Sequence, residues 1–279
     1  MLSIEVNMKA HIPLFSPFCI WLLLIGTTPL MATQVMAEDC NAVRAKYQCP
    51  AKKHRLHLSF DDGVGSVTPK ILDILKRENI KATFLVLGNK VDCSQHKVGT
   101  KSFKLCLQRY ETLKRIKREG HDIGSHSYEH YHHSKLSAAE LEDTIAHSRF
   151  ILEPFFTTEP PIFRLPYGDG WFNQKKAPQV MKALKRNGFE HLGWEMTAYD
   201  WNEKYQHGDQ ILDNVMGQMC GNGKKGRDGV VLFHDGVFEN EHEGRVFTAA
   251  HLARWIPKMR CAADFVPLLT FKKRQLKKR

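Results

Sequence analysis

Residues 56–87, LHLSFDDGVGSVTPKILDILKRENIKATFLVL, place two strand-like runs, 56–60 and 82–87, on either side of a stretch with helical apolar spacing, 69–79. Strand, helix and strand in that order is the unit of a parallel sheet, because a parallel neighbour is reached only by a crossover. The same alternation recurs down the chain. Further strand candidates are 122–125, 162–165, 190–194, 229–233 and 265–271, separated by helical spacing at 105–119, 138–155, 174–187, 210–219 and 248–259. Six helices between seven strands suit an α/β fold of one kind, a distorted (β/α) barrel of about seven parallel strands with outer helices, better than an open sheet. No internal repeat or Ser/Gly-rich linker interrupts the pattern, so residues 38–271 are expected to form one domain, with 88–104 as a surface insertion.

Composition limits the function classes. With 279 residues, 42% hydrophobic and 25% charged, the chain is of ordinary globular type, which excludes wholesale disorder, collagen and coiled-coil fibre. The net charge is 41 − 30 = +11, but residues 272–279 hold six Lys/Arg and no acid, leaving +5 for the rest. This basic C-terminal tail could contact an anionic envelope polymer or membrane surface. No nucleic-acid partner is expected, because that role would rest on the tail alone.

Residues 1–37 read as an export signal: Lys9 and His11 precede the apolar run 18–25, and Val35-Met36-Ala37 offers a cleavage site before Glu38. Eight strongly apolar residues are too few to span a bilayer, which sets this reading above an uncleaved anchor. A start at Met8 would make the signal more regular, and Asp39 before Cys40 does not suit a lipoprotein site. The mature chain is therefore expected to be periplasmic or secreted, and monomeric. Cys19 lies in the signal. The remaining Cys40, Cys49, Cys93, Cys106, Cys220 and Cys261 are even in number, as expected of disulfides in an oxidising compartment. The expected pairs join Cys40 to Cys49, Cys93 to Cys106 and Cys220 to Cys261; free buried thiols are the alternative. No CxxC spacing occurs, which argues against a thiolate zinc site.

Chemistry-bearing residues follow the strands at their C-terminal ends: Asp61 and Asp62, then His126 and His130, Arg164, Asp200 and His234. In a barrel of βα units those ends share one mouth. If Ser127 begins a helical turn, His126 and His130 project from one face, and Asp62 completes a three-ligand metal site with an open position, as in catalytic zinc sites. Gly63 permits a sharp turn, so that Asp61 and Asp62 can serve one cavity, one on the metal and one as a base. Arg164 could pair with Asp61 and orient it. His234 emerges from an apolar strand and suits an acid, with Asp200 favouring its charged form. Each motif alone has a plain alternative: Asp-Asp-Gly is common in turns, His-x-x-x-His occurs on exposed helices, and His132, His133 and His191 read as structural or surface residues.

Together the motifs resemble the polysaccharide deacetylases of carbohydrate esterase family 4 (NodB-like domains), from about residue 54 to 271. Ser59-Phe60-Asp61-Asp62-Gly63 is similar to the first motif, His126-Ser127-Tyr128-Glu129-His130 to the second, Arg164-Leu165-Pro166-Tyr167 to the third, Asp200-Trp201 to the end of the fourth and Leu232-Phe233-His234 to the fifth. The resemblance implies Asp61 as base, Asp62, His126 and His130 as metal ligands, Arg164 as orienting residue, and His234 as acid supported by Asp200. It also implies the Tyr167 backbone amide at the oxyanion, Trp201 lining the pocket and Leu232 beside the acetyl methyl. Thr197 departs from the usual Asp at the start of the fourth motif, which bears on tuning of the acid, and Ser59 replaces a usual Thr. Trp171, Tyr128, Tyr131 and Trp201 are candidate sugar platforms. A divalent metal is implied, Zn2+ first, with Co2+, Ni2+ or Mn2+ also compatible with two His and a carboxylate. The expected activity is removal of N-acetyl groups from an amino-sugar polymer of peptidoglycan or chitin type. The alternatives are an O-acetyl esterase on xylan or another exopolysaccharide, and an inactive carbohydrate-binding relative.

Overall fold

The computed structural model describes residues 39–221, 226–238 and 245–271. Residues 1–37, expected to be an export signal, and the basic tail 272–279 lie outside the described residues. Eight strands, all paired in parallel, form one sheet: β1 (His54–Gly63), β2 (Thr83–Val86), β3 (Asp122–Ser125), β4 (Ile162–Phe163), β5 (Glu190–His191), β6 (Met196–Thr197), β7 (Gly229–His234) and β8 (Ala263–Phe265). Their order is β5-β4-β3-β2-β1-β7-β6, with β8 on the start of β1. The two edges, β5 and β6, are separated by only four residues, 192–195, which at full extension span no more than about 19 Å between strands. The sheet therefore curls into an incomplete barrel. The α-helices whose bounds lie within the described residues are α1 (Cys40–Lys46), α2 (Thr68–Arg77), α3 (Lys101–Arg118), α4 (Ala138–Leu152), α5 (Pro178–Arg186), α6 (Gln210–Cys220) and α7 (Val246–Ala262). None of the described helices is long and apolar enough to cross a membrane.

Alternation along β1 sets the layers. Leu56, Leu58 and Phe60 are fully buried in the main apolar cluster with Ile71, Leu72 and Leu75 of α2, while His57, Ser59 and Asp61 face the barrel interior. There Ser59 Oγ donates to Val231 O at 2.8 Å, and the His57 ring bonds Thr83 Oγ1 and Val266 O, each at 2.8 Å. The helices start and stop where the sequence provides for it. Ser137 and Glu140 make a reciprocal capping box on α4, Pro178 opens α5, and Gly221 ends α6 at φ 76°. The expected start of the fourth of the six helices, at residue 174, moves to Pro178 for that reason.

The expected last strand, 265–271, is displaced to β8 at 263–265. Pro267 cannot donate to a ladder, and Leu268 and Phe271 pack with Leu85, Ile162, Leu192 and Val230 instead. The short β6 was not expected. Residues 88–104 are only partly a surface insertion: Gly88, Lys90, Val91 and Asp92 are buried, and Gly88 N and Asn89 N donate to the carbonyls of Ser127 and Tyr128 at 3.0 and 3.2 Å.

Three disulfides form, but only Cys93–Cys106 as expected; the others are Cys40–Cys261 and Cys49–Cys220. The unexpected helix α1 explains the correction. Seven helical residues hold their ends about 10 Å apart, beyond the roughly 7 Å that a disulfide spans between Cα atoms. Cys40, the first residue of that rod, and Cys49, beyond its other end, reach the ends of α7 and α6 instead.

Candidate metal and catalytic centre

The inward-facing residues of β1 end at Asp61. Strict alternation would send Asp62 to the helix side, but the β1–β2 register shifts between Phe60 and Gly63, and Asp62 itself adopts φ 67°. That left-handed residue turns the second carboxylate into the same cavity. The turn thus falls on Asp62 and not on Gly63 as expected. Gly63 serves a different need: a Cβ there would lie 2.5 Å from both carboxylate oxygens of buried Asp235. Asp235 accepts from Thr68 Oγ1 and donates its backbone N–H to Asp61 O at 3.1 Å. Burial pushes its carboxyl up to about 7; the Thr68 bond opposes this, and Asp62 and Asp61 add to it.

His126 and His130 meet, but not across a helical turn. Residues 126–132 form a loop in which Ser127 (φ 77°) and His130 (φ 62°) are left-handed. Side chains hold it: Ser127 N donates to Ser125 Oγ and His130 N to Ser127 Oγ, both at 3.0 Å. The imidazole centroids lie 5.0 Å apart. Asp62 Oδ1 is 3.4 Å from His126 Nε2 and 3.2 Å from His130 Nε2, and the three potential ligand atoms lie within 4.8 Å of one another.

This donor set fits a metal ion on its own evidence. Asp62 Oδ1 is buried with no hydrogen-bond partner, a costly state unless a cation completes it. His126 Nδ1 lies 2.8 Å from Arg164 O; donating there leaves Nε2 as a lone pair. Burial lowers His126 to about 4, so the ring is neutral at pH 7. For Asp62, burial by itself raises the pKa, but the adjacent His130 ring, with His234 and His126, outweighs it and holds the carboxyl well below its ordinary range.

Arg164, fully buried, links the segment that joins β5 to β6 with the inward face of β1. Its guanidinium donates to Asp61 Oδ1 (2.7 Å), Ser59 Oγ (2.8 Å), Leu192 O (3.1 Å) and Gly193 O (3.2 Å). Asp61 Oδ2 is left 3.7 Å from His126 Nε2. Across the cleft, His234 Nδ1 bonds Asp200 Oδ1 at 2.8 Å, while Asp200 Oδ2 accepts from His234 N at 3.0 Å and Thr248 Oγ1 at 2.9 Å. Burial lowers the His234 pKa, but Asp200, then Asp62 and Asp61, outweigh it and leave the pKa raised.

Asp61, Asp62, His126, His130 and His234 open into one cleft of about 960 Å³, also lined by Leu232, Thr197, Tyr167 and Trp201, with Arg164 and Asp200 buried behind it. Trp171 is not among its lining residues; it packs against Trp194 (5.2 Å) and His191 (5.0 Å) on a separate groove, and its neighbour Phe172 takes the place at the cleft. Tyr128 is buried, with its ring stacked on His147 at 3.9 Å and its hydroxyl donating to Asp92 at 2.8 Å, and so offers no platform. Tyr131 is half exposed outside the cleft lining. Sequence reasoning missed Phe238, stacked on His130 at 4.0 Å, as well as Tyr199, Thr248 and Asp235. Only Asp235, directly after His234, carried a signal.

Comparison with known proteins agrees with the geometry. Residues 48–192 match the family model described as polysaccharide deacetylase, and the chain belongs to that family, carbohydrate esterase family 4. It is 34% identical over 169 residues to a peptidoglycan-N-acetylglucosamine deacetylase of Bacillus cereus, covering 60% of this chain and 53% of that protein. It is 31% identical to the peptidoglycan-N-acetylmuramic acid deacetylase PdaC of Bacillus subtilis, covering 64% and 32%. The matched region thus spans about half and about a third of those relatives. A crystal structure of a peptidoglycan N-acetylglucosamine deacetylase in complex with an N-hydroxybenzamide superposes with TM-score 0.59 at 30% identity, covering 81% of this chain and 93% of that one.

Proposed function

We propose that this protein is an exported, metal-dependent hydrolase that removes N-acetyl groups from an amino-sugar polysaccharide or oligosaccharide of the peptidoglycan or chitin type. The observation that carries the reading is the meeting, in one cleft, of the Asp62–His126–His130 set, the Arg164-bound carboxylate of Asp61 and the His234–Asp200 pair. The names of the relatives support the substrate class, and three disulfides fit an oxidising compartment.

A divalent metal held by Asp62, His126 and His130, with zinc as first choice, supplies the Lewis acidity that makes water a nucleophile at neutral pH and polarises an acetyl carbonyl. Asp61 takes the proton of the attacking water on Oδ2, since Oδ1 is occupied by Arg164. The Tyr167 backbone N–H donates to the carbonyl oxygen as negative charge develops there. His234, held through Nδ1 by Asp200, delivers a proton from Nε2 to the leaving nitrogen as the C–N bond breaks. Leu232 lies beside the acetyl methyl, and Trp201 and Tyr167 take sugar faces at the rim. All the residues that this chemistry needs are present, which favours an enzyme over an inactive carbohydrate-binding relative.

Acetate release across N- and O-acetylated glycans, with added Zn2+ and with chelator, tests the reading. Release from N-acetylated amino sugars that chelator abolishes and Zn2+ restores is expected. Release from O-acetylated xylan alone would make it an esterase, and no release from any glycan would make it a binding relative.

A further inference from the structure

The groove lined by Trp171 has a volume of about 870 Å³ and takes its other walls from α5 and the edge strand β5. Its aromatic wall is continuous with the cleft. Trp194 lines both, Phe172 lines the cleft, and the rings of Trp171, Phe172 and Trp194 touch one another with centroids 4.6, 5.2 and 5.3 Å apart. Two glycines make room for this wall: a Cβ at Gly193 would lie 2.5 Å from the Trp171 ring, and one at Gly168 would lie 2.4 Å from the Phe172 ring. The wall is also in register with the chemistry, because the guanidinium of Arg164, which holds Asp61, lies 5.6 Å from the Trp194 ring centroid. The rings are not consumed by packing: Phe172 is 68% exposed, and Trp171 and Trp194 are both partly exposed. Met181 and Phe189 add apolar surface to the groove, and the exposed Gln174, Lys182 and Lys185 add hydrogen-bond donors. Its two Lys are balanced by Glu190 and Glu195 in the described lining, so no net charge there selects an ionic partner. Aromatic faces beside neutral hydrogen-bonding groups suit a pyranose, which is apolar on its C–H faces and polar at its edge.

We propose that this groove is a distal glycan-binding site: it holds the sugar chain where it continues out of the cleft across Trp194 onto Trp171, so that long chains are bound in preference to short ones. The proposal rests on the reading of the cleft as a glycan site and adds to it a second surface, remote from the reacting acetyl group.

Chain length separates the two claims. The probes are a disaccharide and a hexasaccharide from each of two β-1,4 series, N-acetylglucosamine alone and N-acetylglucosamine alternating with N-acetylmuramic acid. Calorimetric affinities are measured for the full, metal-loaded chain carrying Asp61→Asn, alone and with Trp171→Ala or Trp171→Phe, and acetate release is measured for the unmutated chain. In at least one series the hexasaccharide is expected to bind about tenfold tighter than the disaccharide, and Trp171→Ala should cut that ratio by about fivefold, the worth of one stacked ring. Trp171→Phe should keep part of the ratio, whereas a merely structural role for Trp171 would weaken both lengths alike and leave it unchanged. Hydrogen exchange in the chain carrying Asp61→Asn alone reads the same site with Trp171 in place: the hexasaccharide, and not the disaccharide, should slow exchange in the groove segments 171–174 and 190–195. Equal binding of the two lengths in both series, a length preference that Trp171→Ala leaves unchanged, or exchange in those segments that the hexasaccharide does not slow overturns the proposal. A Trp171-dependent length preference without acetate release from any glycan upholds it and removes the deacetylase reading instead; acetate release without a length preference does the reverse.

Discussion

Asp200 illustrates what one residue contributes. It accepts from both the ring and the backbone of His234, and it is the largest influence raising the His234 pKa against the depression that burial imposes. An acid with a raised pKa keeps its proton to higher pH, so the alkaline limb of kcat/KM should lie above about 6.5, the ordinary histidine value. Replacing Asp200 with Asn should move that limb to lower pH by about one unit or more and cut the rate at pH 7.5 by about 10- to 100-fold. A pH–rate profile with an unmoved alkaline limb would remove Asp200 from this role. The residue identities of this site were legible because each motif follows a strand-like run. Their backbone geometry was not. Asp62, Ser127, His130, Tyr167 and Tyr199 all have positive φ, a conformation that costs on the order of 1–3 kcal/mol each for such residues and that no local pattern announces. For that reason the expected helical turn at Ser127 is a loop, and the reversal at the two carboxylates falls on Asp62.

The longer helices were read close to their bounds, and elements defined by long-range partners were not. Helices α2, α3, α4 and α7 lie close to their apolar stripes, whereas α1, which buries only Val43, had no stripe to show. Missing α1 led directly to the wrong pairing of four cysteines. Its two bridges close loops of sequence separation 221 and 171, and cross-links of that span act mainly by restricting the unfolded chain. Removing one pair as Cys40→Ser with Cys261→Ser should lower stability by about 2–5 kcal/mol in urea unfolding. Because neither cysteine is near the cleft, turnover in the absence of denaturant should remain. A change below about 0.5 kcal/mol would mean that α1 is not fastened in the way described. Asp209 joins the start of α6 to α7 by accepting from Trp255 Nε1 (3.1 Å), Arg254 (2.6 Å) and Lys258 (3.0 Å). Burial by itself raises its pKa, but Lys258, Trp255 and Arg254 outweigh it, so the folded value is depressed. A depressed carboxylate stabilises above its unfolded pKa, near 3.9, and loses that contribution as pH falls through the folded value. Asp209→Asn should therefore cost about 1–3 kcal/mol at pH 7 and progressively less in acid. Unfolding curves for both chains that stay parallel from pH 7 to pH 3 would contradict this.

At the scale of the molecule, the parallel sheet and its outer helices were legible from the alternation of periods. The closure was not. The sheet edges β5 and β6 are adjacent in sequence yet unpaired with each other, and the segment that joins them is held by Arg164, bonded to Leu192 O and Gly193 O of that segment on one side and to Asp61 and Ser59 of the central strand β1 on the other. One guanidinium thus ties barrel closure to the orientation of the carboxylate assigned as base. Under the proposed function, adjacent carboxylates on this closed frame divide the work, Asp62 holding metal and Asp61 moving a proton. Metal content by elemental analysis, measured beside acetate release from the best N-acetylated glycan, tests that division for Asp61→Asn and Asp62→Asn. Asp62→Asn should lose the metal, whereas Asp61→Asn should retain it and lose at least about 10²-fold in turnover; near-normal turnover in Asp61→Asn, or full metal content in Asp62→Asn, would contradict the account.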